Sequence, residues 1–410
     1  MSSEIIVRPC TAADWPAFME NLTVAFGGTM SDEHRTLWER HIDFPKLLIA
    51  CDQDTVIGTA GWVPFDMTVP GGELPVAAVT MVTVRATHRR RGVLRQMLRQ
   101  QFDDVHARGI AVATLWASEA PIYQHFGYGL AYRKGRIDAD PRRCTFLGNP
   151  APVGRTRLLT EAEALEQLPP IYERARHEIP GSFRRPLSWW ETHKLADPPS
   201  GRSGASPLFR VAWEQDGEVR GYALYRVQAG WGPDALSTHV LDVLEAVGTD
   251  PVATREVWRY LFNVDLVVTV RTHRLNADHP LVFALEDVRQ LKMTVGDGTW
   301  VRLVDVQAAL AARIYPVAAS LTFELLDSFC PWNAGVWTLD AGPDGAALRR
   351  TSDGPALRLS TTELAAMYLG TVSCTALVRA GRVDEVEPGA AARADALFHS
   401  AVAPWCLDDF

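Results

Sequence analysis

The chain has 410 residues, 47% of them hydrophobic and 22% charged, with a formal net charge of −8. At about 150 residues per domain, that length predicts two or three soluble globular domains. The acidic balance argues against general nucleic-acid binding and is compatible with a cationic partner, while no apolar run approaches the roughly 20 residues of a membrane span. The start, MSSEIIVRPC, has neither a basic n-region nor an apolar h-region, so a cytoplasmic protein is expected. Six cysteines (Cys10, Cys51, Cys144, Cys330, Cys374 and Cys406) are scattered, with no CxxC and no Cys/His cluster at ligand spacing. That pattern predicts reduced, structural thiols and no metal.

Strand-like EIIVRP opens the fold, followed by Thr11 and Asp14 at capping-box spacing and by Trp15, Phe18, Met19 and Leu22 at helical intervals. Antiparallel strands follow in LLIACDQDTVIGTAGWVPFDMTV and AAVTMVTV, divided by the turn signals DQD and PGG. A helix after Gly92 carries Leu94, Leu98, Phe102 and Val105 on one stripe and ends at Gly109; strand AVATLWAS comes next. Residues 208–227, LFRVAWEQDGEVRGYALYRV, repeat the pattern of residues 47–62, and Gly221 to Val247 spans the same distance as Gly58 to Val84. The middle of the chain therefore reads as a second copy. After about residue 292 come short alternating strands (LTFELLD, GVWTLDA, AALRRTS, PALRLS), a helix capped by Ser360 and Glu363, an Ala-rich helix and the tail APWCLDDF. The expected domains are 1–150, 151–292 and 293–410, each of mixed α and β structure.

The stretch MVTVRATHRRRGVLRQML places one histidine and three arginines between a strand and the start of a helix. A helix N-terminus already carries partial positive charge and unpaired N–H groups, so cations there disfavour the bare fold and favour an anion. With Gly92 leaving the backbone open, the turn is a candidate diphosphate site. The patterns GxxxxGK[ST] and GxGxxG are absent, which excludes triphosphate and dinucleotide sites of those types and leaves the phosphate ligand otherwise open. In the second copy the corresponding stretch is GTDPVATREVW, with no basic run.

The order strand, helix, three strands, basic turn, helix, strand resembles the GCN5-related N-acetyltransferases (GNATs), whose R-x-x-G-x-G/A turn holds the pyrophosphate of coenzyme A. Leu94 stands where that family has a small residue. Together with ASEAPIYQHFGYG at 117–129, a degenerate second copy, a third domain and a terminal phenylalanine, the turn resembles the Eis (enhanced intracellular survival) family over essentially the full length. The resemblance implies an α/β (α+β) architecture of tandem GNAT folds, the second degenerate, followed by a domain like sterol carrier protein. It implies an acetyl-CoA-dependent N-acetyltransferase for aminoglycoside or polyamine-type amines, assembled as a homo-oligomer, a hexamer in the family.

Carried over residue by residue, the resemblance puts Val82, Val84 and Ser118 along the donor, with Arg89, Arg90, Gly92, Val93 and Leu94 at its pyrophosphate. Tyr123 becomes the general acid, with a phenol pKa near 10 against roughly 8.5 for a thiol. The base would be the C-terminal carboxylate of Phe410. Trp38, Glu119 and Asp409 would receive the acceptor, although Gly27 and Gly28 replace an acidic residue that the family carries after the phenylalanine of the first helix. Two alternatives stay open: acetylation of a protein or peptide lysine, and a lipid carrier or scaffold with a vestigial first domain.

Overall fold

The computed structural model describes residues 4–28 and 30–410; the first three residues of the MSSEIIVRPC start and Thr29 of the loop after the first helix lie outside them. The chain forms two compact units, Met1–Tyr132 with Gly298–Phe410, and Arg133–Asp297. These divisions differ from the expected boundaries at 150/151 and 292/293, because a strand on each side of the excursion is claimed by the sheet it pairs with and not by its neighbours in sequence.

The first unit begins with β1 (Ile5–Pro9), helix α1 (Trp15–Phe26), α2 (Asp32–Glu39), β2 (Leu47–Asp52), β3 (Thr55–Val69) and β4 (Gly72–Val84). Then follow α3 (Val93–Ala107), β5 (Val112–Trp116), α4 (Ala120–Gln124) and β6 (Gly129–Leu130). The α1 stripe is buried as its periodicity predicts, Trp15, Phe18, Met19 and Leu22 packing with Leu47, Ile49 and Cys51. Its entry is fixed by the Thr11–Asp14 capping box, whose carboxylate also takes both terminal nitrogens of Arg8 at 2.7 Å. On α3 the buried face is Val93, Met97, Leu98, Gln101, Phe102 and Val105.

The second unit has a seven-stranded sheet of its own, built from β7 (Arg133–Ala139), β8 (Arg155–Leu158), β9 (Phe209–Gln215), β10 (Glu218–Gln228), β11 (His239–Gly248), β12 (Val267–Asn276) and β13 (Thr294–Asp297). The order is β13-β7-β12-β11-β10-β9-β8, with β11 and β12 parallel. The repeat with the first unit is offset by one residue: Val84 pairs with Gly58, but Gly221 pairs with Gly248 and Tyr222 with Val247. The two ladders slip at different points, between Thr59 and Gly61 in the first and between Leu224 and Tyr225 in the second. Spacing alone cannot register such a slip.

The chain returns to the first unit as β14 (Thr299–Leu303), which pairs antiparallel with β5 on one side and β6 on the other. The first sheet thus runs β1-β2-β3-β4-β5-β14-β6. Beyond it β15 (Ala319–Leu326), β16 (Gly335–Gly342), β17 (Gly345–Arg350), β18 (Leu357–Ser360) and β19 (Asp384–Glu385) form a five-stranded sheet. The helix Thr361–Met367 is buried along its whole length and lies so close to β6 that a Cβ on Gly129 would overlap the Thr362 carbonyl. Among the described residues no helix is long and apolar enough to cross a membrane, and all six cysteines are buried free thiols.

Candidate active site

Strands β4 and β5 pair in parallel only at Val76–Val112, Ala77–Ala113 and Ala78–Thr114. Past Ala78 the two diverge, and a cleft of about 600 Å³ opens between the end of β4, the start of α3 and the segment after β5. Val82 and Val84 line it from β4; Arg89, Arg90, Gly92, Val93 and Leu94 line it from the turn; Ser118, Glu119 and Tyr123 close the other side. Ten of the thirteen predicted site residues therefore face one cavity. Trp38, half-buried on α2, and Asp409 and Phe410 of the tail are not among its lining residues.

The basic turn divides its basic side chains. Asp52 at the end of β2 takes His88 Nε2 and Arg91 Nη1, each at 3.2 Å. Arg89 and Arg90 have no ion pair among the described residues and stand exposed at the cleft. Gly92 is the N-cap of α3 at φ 80°, and no side chain caps the helix. Its first helical hydrogen bond runs from Gln96 N to Gly92 O at 3.1 Å, so the N–H groups of Val93, Leu94 and Arg95 have no helical acceptor. Arg90 itself holds φ 62°, a left-handed conformation uncommon for a residue with a Cβ. An uncapped N-terminus, two unpaired arginines and a cavity of this size fit a diphosphate ester such as coenzyme A.

The second unit supplies the contrast. At the start of its helix Pro251–Phe262, Asp250 accepts from Val252 N at 2.9 Å and Ala253 N at 3.0 Å, and pairs with Arg220 at 2.7 Å. Here the chain provides its own anion. Nearby, buried Glu245 is clamped by both terminal nitrogens of Arg185 at 2.8 and 2.9 Å and by the Tyr222 hydroxyl.

Tyr123 sits on α4, buried to 6% exposure, with its ring edge-on to Tyr128 at 5.8 Å. Burial raises its pKa above the ordinary phenol value, the neighbouring Glu119 charge adds to the rise, and a hydrogen bond with Ser118 opposes it. The phenol is therefore held as the acid throughout the neutral range. The tail is also ordered. Trp405, Cys406, Leu407 and Asp408 are buried, the Asp408 carbonyl accepts Trp116 Nε1–H at 2.9 Å, and Cys406 N–H donates to the Tyr132 hydroxyl at 3.0 Å. Phe410 lies against Phe65, ring centroids 6.4 Å apart. Local motif reading misses Asp52, which lies far upstream in sequence, and Thr83, Ile122 and Phe126, which also line the cleft. It flagged the end of α1 without assigning Ala25 and Phe26, both of which face the cavity.

Acetyltransferase (GNAT) domain models match residues 6–131 and 181–303, and a sterol carrier protein domain model matches residues 306–407. N-acetyltransferase Eis of Mycobacterium tuberculosis is 30% identical over 408 residues, covering 96% of both chains. This chain belongs to the Eis family of N-acetyltransferases. An uncharacterized N-acetyltransferase of Streptomyces avermitilis is 41% identical over 409 residues, covering 98% of this chain and 99% of that protein. The crystal structure of Eis1 from Mycobacterium abscessus matches at a TM-score of 0.84 and 32% identity, covering 99% of this chain and 100% of that one. The Eis architecture, two GNAT folds and a sterol carrier protein type domain, accounts for the whole length, and GNAT acetyltransferases use acetyl-CoA. Among the described residues no cluster of His, Cys, Asp and Glu could hold a metal ion.

Proposed function

We propose that this chain transfers the acetyl group of acetyl-CoA directly to an amine of a small polycationic acceptor of the aminoglycoside or polyamine type. The observation that carries the donor half is the uncapped α3 N-terminus with Arg89 and Arg90 left unpaired beside it, opening on the same cleft as Tyr123. Those arginines and the N–H groups of Val93 and Leu94 hold the pyrophosphate, and Val82, Val84 and Ser118 run along the arm that follows. Acetyl-CoA supplies the activated thioester. As the amine nitrogen bonds to the acetyl carbon and the carbon–sulfur bond breaks, Tyr123 gives its proton to the departing sulfur. The carboxylate of Phe410 takes the proton that the amine sheds. Glu119, Asp409 and Trp38 receive the acceptor, their acidic and aromatic character suiting a polycation. The family resemblance adds a homo-oligomer, hexameric in form, which sedimentation of the purified chain tests.

The functional test is thiol release from acetyl-CoA with aminoglycosides, polyamines and lysine peptides as acceptors. Tyr123→Phe is expected to lower kcat by about 10²–10⁴-fold, the usual worth of a positioned acid, with coenzyme A binding unchanged. Because burial holds the phenol above its ordinary pKa, the alkaline limb of kcat should begin above pH 10 and vanish in the variant. Residues appended after Phe410 should abolish turnover while coenzyme A still binds. Turnover of lysine peptides alone points to the protein-lysine reading, and no turnover with any amine points to the carrier reading.

A further inference from the structure

Under the end of β4 runs a chain of four hydrogen bonds. Arg85 Nε–H donates to Asn21 Oδ1 at 3.0 Å, and Asn21 Nδ2–H donates to Thr83 Oγ1 at 2.6 Å. The Thr83 and Thr59 hydroxyls are 2.6 Å apart, and the Thr59 hydroxyl donates to the Met81 carbonyl at 2.7 Å. Asn21 and Thr59 are completely buried and Thr83 nearly so. The direction of the chain is forced from both ends. A guanidinium can only donate, so the Asn21 amide turns its oxygen to Arg85 and its nitrogen to Thr83; a carbonyl can only accept, so the Thr59 proton goes to Met81. The Thr83 proton is left with the Thr59 oxygen, and no rotor in the chain is free.

The acceptor at the far end is the irregular residue of β4. Met81 has φ 56°, and it lies where the ladder slips, Thr83 pairing with Thr59 but Thr80 with Gly61. Two residues of β4, Met81 and Val82, thus oppose the single residue Ala60, which is a β-bulge. A left-handed residue with a side chain persists only where its surroundings hold it. The Thr59 hydroxyl is such a hold. Because the peptide unit is planar and trans, fixing the Met81 carbonyl toward Thr59 also fixes the Val82 N–H in the opposite direction. Val82 lines the cleft.

The GNAT resemblance implies a backbone N–H of this strand near the thioester carbonyl of the acyl donor; we infer that Asn21, Thr83 and Thr59 are positioning residues that, anchored on Arg85, aim that N–H, the one of Val82. The inference rests on reading the cleft as the donor site. It adds a group of side chains from α1, β3 and β4 to the determinants of rate, although only Thr83 of the three lines the cleft. An aimed N–H matters because it is stronger for the oxyanion that develops during transfer than for the resting carbonyl, and losing one such donor costs about 10²–10³-fold in kcat. Misaiming it should cost less, about 10- to 100-fold.

The test compares Thr59→Val, which keeps the shape and removes the hydroxyl, with Thr59→Ser, which keeps the hydroxyl, and adds Asn21→Leu as a second break in the chain. Each is titrated with coenzyme A, which has no thioester carbonyl, and assayed for acetyl-CoA turnover against the amine panel. Expected is a 10- to 100-fold loss of kcat in Thr59→Val and Asn21→Leu with coenzyme A affinity within about twofold, and recovery to within about threefold in Thr59→Ser. The inference is overturned if Thr59→Val and Thr59→Ser fall alike, if Thr59→Val keeps full kcat, or if coenzyme A affinity falls in step with kcat. If the unaltered chain binds no coenzyme A, the donor-site reading fails and takes the relay with it. If it binds and turns over and only the variants are silent in effect, the relay alone is lost.

Discussion

Arg90 sets stability against binding, and replacing it by glycine separates the two. Its backbone is left-handed at φ 62°, a conformation that costs a residue with a Cβ roughly 1–2 kcal/mol and costs glycine almost nothing. Glycine in turn loses more freedom on folding, which offsets about 0.4–1 kcal/mol of that relief. Arg90→Gly should therefore melt at the wild-type temperature or a few degrees higher in the absence of ligand. The guanidinium is exposed, so its hydrogen bond to a phosphate belongs at the low end for a charge-assisted bond, about 1.5 kcal/mol, or tenfold in Kd. At a coenzyme A concentration of about 100 times the wild-type Kd, binding adds about 2.7 kcal/mol of stability to the wild type and about half that to the variant. Calorimetric titration and thermal melts with and without coenzyme A measure both terms. A variant that melts several degrees lower without ligand, yet binds coenzyme A as tightly as the wild type, would refute the assignment of this turn.

The remaining expectations concern the tail and the second unit. Leu407→Ala removes a buried anchor worth about 2–5 kcal/mol and should free the tail to proteolysis and hydrogen exchange, whereas Trp116→Phe, which loses one hydrogen bond worth about 1 kcal/mol, should loosen it much less; equal protection in both variants contradicts the docking described. Asp250→Ala deletes an N-cap that serves two backbone N–H groups and should destabilise the second unit by about 1–2 kcal/mol in chemical denaturation. His279 is fully buried and desolvation pushes its pKa from 6.5 down to about 4. The unfolded chain therefore binds a proton below pH 6.5 that the folded chain refuses until about pH 4, and stability should fall across that window by up to about 3 kcal/mol. His279→Asn, which keeps an acceptor for Leu281 N–H, should flatten the pH dependence of melting; an unchanged slope would assign it to other groups.

The basic turn was legible because everything that marks it is contiguous in sequence: the end of a strand, a basic run, a glycine and the start of an amphipathic helix. The same holds for the capping boxes at Thr11 and Ser360 and for the segment around Tyr123. What pairs at long range was not legible. Asp52, which pairs with His88 and Arg91 while Arg89 and Arg90 stand at the cleft without an ion pair among the described residues, is brought there by the pairing of β2 and β3. Strand β14 falls just inside the expected third domain, and a domain model spanning residues 181–303 includes it with the second copy, yet its hydrogen bonds belong to the first sheet. Buried charges were equally hidden, since a buried Glu245 runs against the habit of acidic residues and becomes intelligible only once its partners Arg185 and Tyr222 are seen.

The route by which β14 reaches that sheet governs the order in which the molecule is finished. The chain leaves at Tyr132 and comes back at Gly298, whose N–H donates to the Tyr132 carbonyl at 3.0 Å, while Arg133 pairs with Asp297 at the base of the excursion. All strands of the excursion emerge from the ribosome before β14 does, so that sheet can close while β5 still waits with one edge bare. A bare edge beside apolar strands invites pairing with other chains. The first sheet, although its strands are read first, is thus completed after the second, and a fragment ending near residue 150 would carry the RRRG turn on a sheet with an open side.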